Sequence, residues 1–215
     1  MAGDYDFSRE NPETFAAFCR ALYERELVVG AGGNVALKTG GKVLVTPSGY
    51  SLRALTAAQL IEVDLDGNVL SAPPGTRPSK ELRMHLEIFK ARPDVRLVCH
   101  VHGTYITAAT TLLQVGGNVM PAYTPALCFY AYPLAMLPFF VPGTAELAEA
   151  VGKAFRDGPP TRSSILLKNH GLITVGADFT SVLNVTEEVD DAARIFILTH
   201  GKGDVIPDET IPKIK

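Results

Sequence analysis

"LVCHVHGTY", residues 97–105, places two histidines one residue apart inside an apolar run. Successive side chains of a strand point to opposite faces, so His100 and His102 share one face with Val98, while Cys99 and Val101 take the other. The run predicts a strand over 95–102 followed by a helix over 104–113. Two imidazoles side by side pack poorly against apolar neighbours but chelate a cation well. A third histidine, His170, lies in "KNHGL" at the corner between two short strands of "SILLKNHGLITVG". Gly171 allows a tight turn there, and a corner can aim a ligand inward. Three histidines with one open position form a catalytic zinc pattern. His85 and His200 fall on predicted helices and read as structural or surface residues.

The elements around this strand set the fold class. Phe15, Phe18, Cys19, Leu22 and Tyr23 recur at helical spacing behind Ser8 and Pro12, which predicts an opening helix ending near Gly30. "NVALKTGGKVLVTP" reads as a strand–turn–strand hairpin. Residues 61–65 and 69–71 flank Asp66-Gly67-Asn68, a second hairpin signal. Ser79 is a candidate N-cap for a helix running to about Arg92, before Pro93. Further helices are predicted over 143–156 and 179–199, the last stopped by Gly201. Helices and strands are mixed, and several strand pairs are hairpins. The expected class is therefore α/β, with helices packed on a largely antiparallel sheet and not wound on a parallel one.

Length and composition restrict the function. A chain of 215 residues that is 47% hydrophobic builds one sizeable core, so a single domain over 1–215 is expected. The formal net charge of −3 argues against nucleic acid or an anionic membrane as partner. Cys19, Cys99 and Cys128 are odd in number and unclustered, which suits a reducing cytoplasm better than a disulfide framework. The polar start "MAGDYDFSRE" is no secretory signal. The apolar stretch 119–141 contains Pro121, Pro125, Pro133 and Pro138, which would break a spanning helix, and it reads as buried, irregular core chain.

Two further segments carry polar groups of interest. In "RPSKELRMH", Ser79, Lys80 and Glu81 open a helix. They form a plain cap on one reading. On the other, the helix start with the charge of Lys80 binds an anion, and Glu81 is a fourth metal ligand or a base. "GAGGNV" (30–35) and "TPSG" (46–49) flank the first hairpin. Their backbone N–H groups, with Asn34, Thr46 and Ser48, would line a phosphate pocket if the hairpin brings them together. Neither a GxGxxG nor a GxxxxGK(S/T) motif is present, so a nucleotide site is unsupported.

In chain order, "GGN", "TPSG", "PSKE", "HVH" and "NHG" resemble the class II aldolase/adducin family, from about Phe15 to Leu198. The resemblance implies an α/β/α sandwich and a homo-oligomer, commonly a tetramer. It implies a divalent metal, usually zinc with Mn2+ or Co2+ as alternatives, held by Glu81, His100, His102 and His170. It implies a phosphate pocket including Gly33, Asn34, Ser48, Gly49 and Ser79. The family's aldolases have two serines before the glutamate, whereas the second here is Lys80. They also carry a tyrosine near the C-terminus, and "PDETIPKIK" has none. The "PSKE" variant, with "FFVPG" (139–143) and "TEEVDDAARIFIL" (186–198), resembles the branch that decarboxylates 3-oxo-tetronate 4-phosphates, with Lys80 and Glu81 as catalytic candidates. Aldol cleavage of a ketose phosphate such as fuculose 1-phosphate, or epimerisation, is the alternative. A non-catalytic adducin-like interaction module is more remote, because all four ligand positions are retained.

Overall fold

The computed structural model describes residues 6–214, so Met1 to Tyr5 of the N-terminal segment discussed above lie outside the described residues. The strands are β1 (Asn34–Thr39), β2 (Lys42–Val45), β3 (Ile61–Val63), β4 (Val69–Ser71), β5 (Leu97–Val101), β6 (Ala135–Leu137), β7 (Ser164–Leu167) and β8 (Gly171–Gly176). They form one sheet in the order β4-β3-β2-β1-β5-β8-β7-β6. Each neighbouring pair is antiparallel except β6 with β7. The helices are α1 (Pro12–Glu24), α2 (Leu82–Ala91), α3 (Thr104–Leu112), α4 (Pro125–Tyr130), α5 (Ala145–Asp157) and α6 (Phe179–Leu198).

Strand alternation divides the core into two layers. Val35, Leu37, Leu97, Cys99, Val101 and Leu172 face one cluster, completed by Phe15 and Phe18 of α1, Ile106 of α3 and Phe179 and Val182 of α6. Ala36, Val43, Val98, Ile173 and Val175 face the other, completed by Met84 and Ile88 of α2 and Leu147, Val151 and Phe155 of α5. This is the α/β/α sandwich on a largely antiparallel sheet. Each fully buried phenylalanine contributes about 1.5–3 kcal/mol by leaving water. No helix among the described residues is long and apolar enough to cross a membrane.

Three local expectations are corrected. The opening helix ends at Glu24, well before Gly30. Glu26 adopts φ 60°, and the N–H groups of Glu26 and Leu27 close back onto the carbonyls of Tyr23 and Leu22. That Schellman closure normally uses glycine, so a glutamate in its place left no signal. Likewise α6 closes through His200 at φ 52° before Gly201 at φ 68°. Ser79 does not cap α2. The cap residue is Glu81, and the Ser79 hydroxyl instead accepts the Glu81 N–H at 3.2 Å. The stretch 119–141 is neither wholly irregular nor wholly buried. It contains α4 and β6, and it exposes Phe129, Phe139 and Val141.

Candidate metal centre and adjoining pocket

The site forms on the α2/α5 side of the sheet, where β1, β5 and β8 end together. Asn34 opens β1 opposite His100 of β5, and His100 stands opposite Ile173 of β8. His102 follows β5 directly and keeps the direction of His100. His170 comes from the corner between β7 and β8, and Glu81 from the cap of α2. One ligand atom from each of Glu81, His100, His102 and His170 lies within 4.8 Å of all the others. His100 Nε2 is 2.7 Å from His102 Nε2 and 3.2 Å from His170 Nε2. Glu81 Oε2 is 3.5 Å from His100 Nε2, and Oε1 is 3.5 Å from His170 Nε2.

The corner that carries His170 works differently from its sequence reading. The left-handed residue is Asn169, at φ 54°, a residue type whose short amide tolerates that conformation. Gly171 is needed for clearance. A Cβ there would run into the Val101 carbonyl oxygen and lie 2.8 Å from His102 Cδ2. Gly33, at φ +78°, has a similar duty, since a Cβ on it would lie 3.0 Å from the His100 carbonyl oxygen.

The donor set fits a divalent cation. His100 Nδ1–H donates to the Leu172 carbonyl at 2.9 Å, which leaves Nε2 with a lone pair turned to the cluster. Burial pushes all three histidines toward the neutral form. The His100 imidazole falls well below its ordinary range, lowered first by burial and then by His102 and His170. His102 falls to about 4, through burial and then the charges of His170 and Lys80. His170 is lowered by burial, against the opposing pull of Glu81. Glu81 is buried, and its Oε1 has no hydrogen-bond donor. Neutral imidazoles and an unpartnered carboxylate oxygen, converging in a buried place, suit a divalent cation.

A cavity of about 180 Å³ adjoins the cluster, lined among others by Gly33, Asn34, Ser48, Gly49, Ser79, Lys80, Glu81 and His102. The two glycine segments and the start of α2 therefore meet, as the hairpin reading required. Thr46 is not among the lining residues. It is buried, and its hydroxyl accepts the Val35 N–H at 3.2 Å. The N–H groups of Gly32, Ser48 and Ser79 donate to the carbonyls of Val29, Arg77 and Thr46, so these three do not form the expected cradle of free backbone donors. The serine hydroxyls and Lys80 provide donors on this wall. Lys80 packs its stem beside Gly143 of the "FFVPG" segment, where a Cβ would lie 3.5 Å from Lys80 Cγ.

The sequence alone assigns His85 a structural or surface role. It is fully buried and hydrogen-bonds to Asn34, which in turn donates to Glu81. Its position four residues after Glu81, one helical turn along α2, was the available signal.

Known proteins resemble this chain in sequence and in fold. Residues 13–197 match the family model described as Class II Aldolase and Adducin N-terminal domain. An L-fuculose phosphate aldolase of Methanococcus maripaludis is 35% identical over 181 residues, covering 84% of this chain and 93% of that protein. A 3-oxo-tetronate 4-phosphate decarboxylase of Haemophilus influenzae is 32% identical over 185 residues, covering 85% of each. The crystal structure of YgbL from Klebsiella pneumoniae superposes with a TM-score of 0.84 at 26% identity, over 93% of this chain and 95% of that one. With matching family model, fold and order of motifs, the chain belongs to the class II aldolase and adducin N-terminal domain family.

Proposed function

We propose that the chain, as one catalytic domain over 1–215, is a zinc-dependent carbon–carbon lyase for a small phosphorylated keto sugar acid. The best-supported reaction is decarboxylation of a 3-oxo-tetronate 4-phosphate. The carrying observation is that Glu81, His100, His102 and His170 converge beside a cavity walled by Ser48, Ser79 and Lys80.

These four residues would hold the cation. When bound, it supplies Lewis acidity against the negative charge that develops on the substrate's ketone and hydroxyl oxygens. The serine hydroxyls hold the phosphate, and Lys80 holds the carboxylate before it leaves. The bond to the carboxylate breaks, CO2 departs, and the electron pair passes to the fragment that keeps the carbonyl as an enediolate. That fragment then takes a proton on carbon, and Glu81, with one oxygen lacking a donor, is placed to hold and move that proton. CO2 loss requires no base to remove a hydroxyl proton, so a tail tyrosine is not needed for bond breaking.

Aldol cleavage of a ketose phosphate is the second reading, favoured by the 35% identity to a fuculose phosphate aldolase. Both reactions generate an enediolate at the same centre. The test is product detection with a panel of 3-oxo acid phosphates and ketose 1-phosphates. Release of CO2 from a 3-oxo-tetronate 4-phosphate is expected. Ready cleavage of a ketose 1-phosphate, with no CO2 from the keto acid, would replace the lead by the aldolase.

The active form is proposed to be a homotetramer. Phe129, Phe139 and Val141 are more than half exposed along 119–141, which is more apolar surface than a lone chain usually leaves in one segment. Light scattering is expected to give about four times the chain mass of 23.1 kDa. A monomer at micromolar concentration would refute the assembly.

A further inference from the structure

Glu81 reaches the cluster with one oxygen free and the other held, and the holding groups lie on two different elements. Asn34 Nδ2 donates to Glu81 Oε2 at 2.9 Å. Asn34 Oδ1 is in hydrogen-bond contact with His85 Nε2. All three side chains are buried.

The donor and acceptor inventory orders this relay. An ionised carboxylate only accepts, so Asn34 must present its NH2 end to Glu81. Its oxygen is thereby turned to His85 and needs a donor, so His85 must carry its proton on Nε2. Without that donor the Asn34 oxygen would be buried and unpaired, and the amide would lose the group that fixes which end faces Glu81. Burial holds the His85 imidazole neutral, lowering its pKa to about 3, so the relay adds no competing positive charge near the cluster.

Placement adds a second argument. His85 lies one turn from Glu81 on α2, whereas Asn34 belongs to β1 and pairs in register with His100. The relay therefore ties the helix that bears one ligand to the strands that bear another. It leaves Glu81 Oε1, which has no hydrogen-bond donor, on the His170 side.

We propose that His85 is a positioning residue: through the amide of Asn34 it fixes the carboxylate of Glu81 with one oxygen turned to the His100, His102 and His170 cluster. The inference rests on the reading of that cluster as a metal centre. It assigns His85 no contact with substrate or metal.

The test compares His85→Leu with His85→Gln in the full chain. Zinc affinity is measured by competition with a chromophoric chelator, alongside thermal melting of the metal-free protein. Glutamine places an amide N–H where the imidazole Nε2–H stood, whereas leucine fills the space without a donor. His85→Leu is expected to weaken zinc binding about 10–100-fold, and His85→Gln to stay within about threefold of the native chain. A packing role alone predicts the reverse order, because leucine is the better apolar filler. Asn34→Ala breaks the relay at its middle and is expected to give the same loss. Added to His85→Leu, it should cost little more, since the two act through one link. Native zinc affinity in both His85→Leu and Asn34→Ala would overturn the proposal, as would a His85→Gln variant as weak as His85→Leu. If His85→Leu does not fold, native affinity in Asn34→Ala is sufficient to overturn it. A native chain that binds no zinc would instead refute the metal centre itself, and this inference with it.

Discussion

Replacing His100 and His102 together by alanine is expected to remove bound zinc and reduce kcat/KM by about a thousandfold or more, because Lewis-acid stabilisation is worth several kcal/mol. Glu81 and His170 would remain, but two ligands cannot compete with water for the cation as four do. The same variant should keep its far-UV circular dichroism. His100 is buried at the end of β5 and its loss leaves a cavity, yet the apolar side chains that build the two layers are all retained in the variant. A cost of about 1–3 kcal/mol to folding is the scale of such a change. The decisive measurement is metal content by elemental analysis after gel filtration. Undiminished zinc in the variant would remove the site, whatever happened to activity.

Lys80→Ser is expected to separate the two candidate reactions. An ammonium beside a cation and near three imidazoles is electrostatically unfavourable unless an anion lies between them. Burial is the main cause that lowers the pKa values of His102 and His170, and the positive charge of Lys80 adds to it. A substrate bearing a carboxylate as well as a phosphate supplies that anion. Losing the charged contact should cost about 2–4 kcal/mol, or about thirty- to a thousandfold in kcat/KM, on a 3-oxo acid phosphate. A ketose phosphate, which lacks the carboxylate, should lose far less. Equal, small losses on both substrates would make Lys80 a bystander and take away the feature that favours decarboxylation.

What could be read without the fold was short in range. Alternation along 97–102 is a property of any strand, so it put His100 and His102 on one face before any neighbour was known. The two hairpins announced themselves through glycine-containing turns between alternating segments, and the antiparallel character of the sheet followed from them. The order of five motifs identified the family because each stands where backbone conformation or ligand chemistry restricts the residue. Helix ends were less legible. Glu26 and His200 adopt left-handed conformations that sequence rules assign to glycine, and the favourable closure around them comes from the packed chain.

The tertiary structure alone decided the meeting of distant residues. Nothing local to His170 says that β8 lies beside β5, or that Gly171 must pass under His102. Nothing local to His85 separates an ordinary core histidine from one that holds Asn34 against Glu81. Nor does the glycine-rich wording of 30–49 reveal that the N–H groups of Gly32 and Ser48 are already bonded to backbone carbonyls. The physical reason is the same in each case. Periodicity and turn chemistry act over a few residues, whereas a hydrogen-bond partner is chosen by the sheet order and by what close packing brings within about 3 Å.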